Sequence, residues 1–130
     1  MLRTAPALAL LALAACSSTS PASPTPVDRE LTLAAGETTR VSEGVSLKFI
    51  GVPADSRCPG DAICVWAGDA TVRVEVTANR GRAEGELHTA NNQPVSHDGL
   101  TISLISLDPY PFHTRPIQPG DYRATLRVRR

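Results

Sequence analysis

The stretch Thr71–Ala78, TVRVEVTA, alternates apolar and polar side chains with period two, and this limits the fold more than any other feature of the chain. Successive side chains of an extended strand point to opposite faces, so Val72, Val74 and Val76 share one face and Arg73 and Glu75 take the other. The closing segment YRATLRVRR repeats the pattern, with Tyr122, Ala124, Leu126 and Val128 in phase. No segment carries the three-four spacing of a long amphipathic helix. Two further segments, VSLKFIGV from Val45 and GLTISLISLDPY from Gly99, begin in phase and slip by one at Ile50 and Ile105. Such a slip puts apolar groups on both faces, the mark of a bulge or of a strand passing between two packed sheets. Weaker strands are RELTLAAGETTRV, split by Gly36, and RAEGELHTA.

Between these segments lie ANRG, ANNQP, SHDG, LDPYP and QPGD, which carry the Asn, Asp, Gly and Pro of tight turns. Short strands with turns at this spacing predict an all-β domain. We expect an antiparallel immunoglobulin-like sandwich of about six to eight strands, with a small open β-barrel as the alternative. Aromatic residues make up only 4% of the chain, so the core must be mainly aliphatic.

The N-terminus places the domain. In MLRTAPALALLALAACSS a basic residue precedes an apolar run that stops at a cysteine, the layout of a secretory signal. The run is too short to cross a bilayer, which takes about 20 apolar residues. Leu13-Ala14-Ala15-Cys16 resembles the lipobox of bacterial lipoproteins. The resemblance implies cleavage before Cys16, lipidation of its thiol and attachment to the membrane through that lipid. Ser17 stands where an Asp would retain such a protein at the inner membrane, so the resemblance implies an outer-membrane location facing the periplasm. SSTSPASPTPV then follows, with no charge and little to bury, which reads as a linker. The expected organisation is a signal peptide over 1–15, a lipidated cysteine and linker over 16–27, and one β domain over 28–130.

Thirteen basic side chains face thirteen acidic ones, and this balance gives no general attraction to nucleic acid. Arg123, Arg127, Arg129 and Arg130 line the outside of the last strand, where charge discourages edge pairing. Nucleic acid is therefore not an expected partner.

The stretch DSRCPGDAICVWAG, Asp55 to Gly68, holds two of the three cysteines and the single tryptophan. Zinc knuckles use closer cysteine spacing and a paired second half, whereas His88, His97 and His113 are scattered. Blue copper would want an axial methionine, and the sole Met is Met1. Redox pairs want C-x-x-C at a helix start. Asp55, Asp61 and Asp69 lack the calcium-loop pattern. No metal or cofactor is expected. With Cys16 lipidated, Cys58 and Cys64 remain as an even pair in an oxidising compartment, which predicts a disulfide. Trp66, two residues past Cys64, is expected on the same face of a strand, its ring packed beside that disulfide, with an exposed ligand-stacking ring as the alternative.

SHDG sets Ser96, His97 and Asp98 side by side, but triad members meet from distant parts of a chain, and a turn accounts for them better. The chain has no G-x-S-x-G, H-E-x-x-H or Gly-rich phosphate loop, so no catalytic residue is expected. The block D-S-R-C-P with C-x-W-A-G, together with LISLDPYP and YRATLRV, resembles a group of small bacterial exported proteins and lipoproteins without assigned activity. It implies the domain boundaries and the paired cysteines. The expected function is a non-catalytic envelope module that binds an envelope protein or other component through a sheet face or the stapled loop, with Arg57, Asp61, Trp66 and Asp69 as candidate contacts. One alternative is an inhibitor of a secreted or envelope enzyme that offers Arg57 from this loop; another is a purely structural envelope domain.

Overall fold

The computed structural model describes residues 16–18, 20–21 and 26–130. The expected signal peptide and part of the linker, residues 19 and 22–25, lie outside the described residues. Eight strands follow in order: β1 (Asp28–Ala34), β2 (Thr38–Ser42), β3 (Val45–Asp55), β4 (Ala70–Ala78), β5 (Gly81–His88), β6 (Val95–His97), β7 (Leu100–Asp108) and β8 (Arg123–Arg129). A 3-10 turn, Pro119–Asp121, precedes β8. The strands form two four-stranded antiparallel sheets, β1-β8-β7-β6 and β2-β3-β4-β5. The sheets do not close into a barrel, so the sandwich is the correct alternative.

The alternation read from sequence sets the core. Val72, Val74 and Val76 of β4 are buried, as are Ala124, Leu126 and Val128 of β8 and Leu47 and Phe49 of β3. Facing rows from the two sheets interdigitate as the inner layer of a sandwich, and the only aromatic ring wholly buried there is Phe49. Both slips become irregularities: the β3–β4 register shifts on either side of Gly51, and the β7–β8 register shifts between Leu104 and Ser106. The second shift turns Ile105 outward.

The chain meanders from strand to neighbouring strand and changes sheet twice, after β1 and after β5. At the second change Val95 packs so tightly on Gly85 that a Cβ there would lie 2.6 Å from its methyl groups. SHDG is a two-residue hairpin turn, with Asp98 and Gly99 both at positive φ between the paired His97 and Leu100.

Strand registers give the sandwich two unlike poles. Asp28 pairs with Arg129, and the tight hairpins β2–β3, β4–β5 and β6–β7 turn at that same end. At the opposite end Asp55 pairs with Ala70 and Asp108 with Arg123, so the long connections 56–69 and 109–122 both emerge there.

Candidate functional site

The loop from Ser56 to Asp69 is built as a stalk with a tip. Its base continues the β3–β4 ladder: the Ser56 amide donates to the Asp69 carbonyl at 2.7 Å, and the Cys58 amide to the Ala67 carbonyl at 2.9 Å. The Ser56 hydroxyl donates to the Asp69 carbonyl and accepts from the Asp69 amide. Gly68 sits at φ +72°, and any Cβ there would collide with the Ser56 carbonyl, so only glycine lets the arms approach this closely. Above the base, Cys58 and Cys64 form the expected disulfide, their Cα atoms 5.9 Å apart.

Inside the stalk Arg57 is only 9% exposed, although its sequence position suggested an outward contact. Asp55 and Arg57 are two apart on an extended segment and share a face. The guanidinium grips the Asp55 carboxylate with two hydrogen bonds, Nε to Oδ1 at 2.9 Å and Nη2 to Oδ2 at 2.7 Å. It also donates to the carbonyls of Leu107 and Pro109, at 2.9 and 3.0 Å. Strand β6 covers β7 only as far as Ile102, so Arg57 serves the uncovered end of β7 in place of a neighbouring strand. The Tyr122 hydroxyl donates to the same carboxylate at 3.0 Å, and the Tyr110 ring lies 5.5 Å from the guanidinium carbon. One ion pair thus joins β3 in one sheet to the β7 and β8 ends in the other.

The electrostatics match this geometry. Burial opposes charge on Asp55, but hydrogen bonds from the Arg57 side chain and amide and from Tyr122 outweigh it and hold the carboxyl below its ordinary range. Burial, reinforced by the hydrogen bond to ionised Asp55, pushes the Tyr122 phenol up to about 12.

Asp69 and Asp61 secure the outside of the stalk. Asp69 meets His88 Nδ1 at 2.6 Å and accepts from the Ala90 amide at 2.9 Å and the Thr89 hydroxyl at 3.1 Å. Asp61 accepts from the His113 amide at 2.9 Å, and the Gly60 amide donates to Pro111 at 2.8 Å. Gly60 lies against the Phe112 ring. Both aspartates therefore tie the loop to its neighbours, the 88–90 corner and the 109–118 segment.

The tip inverts the usual arrangement. Ile63 and Val65 are almost wholly exposed and Trp66 is 82% exposed. The expected packing of Trp66 beside the disulfide is corrected here: β4 begins only at Ala70, and the Gly68 turn separates Trp66 from it. Arg57 is likewise corrected from an offered contact to a buried tie, because four of its five guanidinium N–H donors are engaged inside the protein. Ile63 and Val65 were missed as contacts, although AICVWA is an unbroken uncharged run without strand alternation. Among the described residues, the remaining large apolar side chains on the surface are Ile105, Tyr110 and Phe112. Tyr110 and Phe112 are 6.3 Å apart edge to face and belong to the same pole. Beside them a cleft of about 320 Å³ runs between Ile105 and Tyr110 on one side and His88 and Asn92 on the other.

Among the described residues, no three His, Cys, Asp or Glu side chains gather as a metal-holding group. Comparison with protein-family models, with curated proteins and with solved structures finds no match to the chain.

Proposed function

We propose that this chain is a lipid-anchored envelope module, tethered through Cys16, that binds a component of the envelope through the stapled loop without catalysing a reaction. One observation carries the reading. Three large apolar side chains, Ile63, Val65 and Trp66, stand in water at the end of a loop that a disulfide and a base ladder hold in one shape. Exposing them forgoes the stabilisation that burying such groups gives, roughly 1.5–3 kcal/mol each. A domain of this size has little stability to forgo, and a preorganised loop loses less entropy on binding. The lipobox resemblance of Leu13 to Cys16 supports the tether, and the absence of charge in the linker fits a passive spacer.

The test is photo-crosslinking in the intact envelope. A benzoylphenylalanine placed at Trp66 should give an adduct to lipid or protein that the same group at Glu84, on the outer face of β5, does not. Equal labelling at both positions would leave only a structural role for the loop.

A further inference from the structure

Resting on that reading of the loop, we propose that the tip binds a phospholipid bilayer, with Ile63, Val65 and Trp66 seated at the headgroup–acyl boundary.

Shape argues first. The tip side chains are so nearly fully exposed that they pack neither on one another nor on the domain. They present separate protrusions and no continuous apolar face. A protein pocket rewards shape complementarity, whereas a fluid boundary accepts protrusions of any outline. Composition argues next. From Ala62 to Ala67 the tip carries no charge, and the amphipathic rings of Trp66 and Tyr110, with Phe112, supply the side chains that favour the membrane boundary. Charge then narrows the lipid. Asp61, Asp69 and the exposed Asp108 and Asp121 rim this pole against the exposed arginines Arg115 and Arg123. A neutral zwitterionic surface suits that rim better than an anionic one.

Reach is the remaining condition, because the folded chain begins at the pole opposite the tip. From Cys16 to Val27 the chain can extend to about 35 Å. Strand β1, with its seven residues, covers about 24 Å. The tether can therefore run past the strands to the pole from which the stalk rises, and nearly full extension brings a lipid on Cys16 and the tip to the same bilayer. With the lipid on Cys16 as the anchor, contact at the tip adds a second point of attachment and fixes how the domain faces the bilayer.

Trp66 is the single tryptophan, so its fluorescence reports the tip alone. The experiment uses residues 16–130 carrying Cys16→Ser, which lacks both the apolar signal segment and the acyl anchor, with phosphatidylcholine vesicles. The expected result is a blue shift, quenching by lipids brominated near the headgroup end of the acyl chains, and indifference to salt. The double variant Ile63→Ser, Val65→Ser should lower the partition coefficient at least about tenfold, the change expected when the two side chains are only half-buried at the boundary. Replacing part of the lipid with phosphatidylglycerol should leave binding equal or weaker. Absence of shift and quenching would overturn the proposal, as would binding that needs phosphatidylglycerol and disappears with salt. If vesicles fail but position 66 still crosslinks to a protein in the envelope, the loop reading stands and the bilayer is excluded as its target.

Discussion

Two short pieces of one loop treat water in opposite ways. Arg57, the charged member of the Asp55–Cys58 arm, is buried among carbonyls, a carboxylate and two tyrosines. Ile63, Val65 and Trp66, on the opposite arm, face solvent. Hydrophobicity alone would assign the reverse. The contrast teaches that the arms answer to different demands: the first holds two sheets together at an uncovered strand end, and the second is kept free. Buried charge is tolerated where its donors and acceptors are matched, and the exposed apolar side chains are what the proposed contact rests on.

If this division is right, the largest effect should come from the buried arm. Arg57→Ala leaves the Asp55 carboxylate without its partner and two β7-end carbonyls without a donor. We expect a loss of about 3 kcal/mol in urea unfolding, the scale of breaking a buried pair. A loss below about 1 kcal/mol would mean that water replaces the guanidinium and would dissolve the contrast. The double variant Cys58→Ala, Cys64→Ala should cost about 2 kcal/mol, the chain-entropy estimate for so short a loop. Unlike Arg57→Ala, it should leave the β7 end intact, as read by amide exchange at Leu107 to Asp108.

Tyr122→Phe sharpens the electrostatic side, removing one donor to Asp55 at a cost of about 1 kcal/mol. Its pH signature has a definite sign. The folded phenol is raised to about 12, so its contribution is full below the unfolded value near 10 and fades as the pH climbs through 12. Asp55 behaves oppositely. Its folded carboxyl is depressed, so its contribution is full above the unfolded value of 3.8 and fades as the pH falls through the folded one. Unfolding midpoints measured across pH should show both flanks in the parent, and Tyr122→Phe should lose the alkaline flank while keeping much of the acidic one. The smallest effect belongs to the free arm: Trp66→Ala should change stability by no more than about 0.5 kcal/mol, as for any surface group without partners. A larger loss would show that the ring packs on the domain after all.

Much of the sandwich was legible because strand alternation is local information. Val72, Val74 and Val76 needed only their own neighbours to reveal a buried face, and the slips at Ile50 and Ile105 announced irregularities that the registers around Gly51 and between Leu104 and Ser106 show. The disulfide was legible from a cysteine count and from the compartment that the N-terminus led us to expect. The Asp55–Arg57 pair was half visible, since a spacing of two puts both side chains on one face. Its real partners are more than 45 residues further along the chain, at Leu107, Pro109 and Tyr122, and no local pattern points to them. Trp66 was misplaced for a related reason. Extending the strand back through Cys64 ignored Gly68, whose positive φ takes the backbone out of strand conformation between Ala70 and the ring.

The sequence by itself determined an all-β domain, its core rows, its turns and the cysteine pair, because strand alternation and turn chemistry act between residues a few positions apart. Only the tertiary structure decided which side chains of DSRCPGDAICVWAG face inward. That depends on where the uncovered end of β7 falls: its carbonyls lack a neighbouring strand, and an arginine brought across from the other sheet supplies the missing donors. Once Arg57 was drawn inward to serve them, the uncharged residues of the other arm were left as the part of the loop in water.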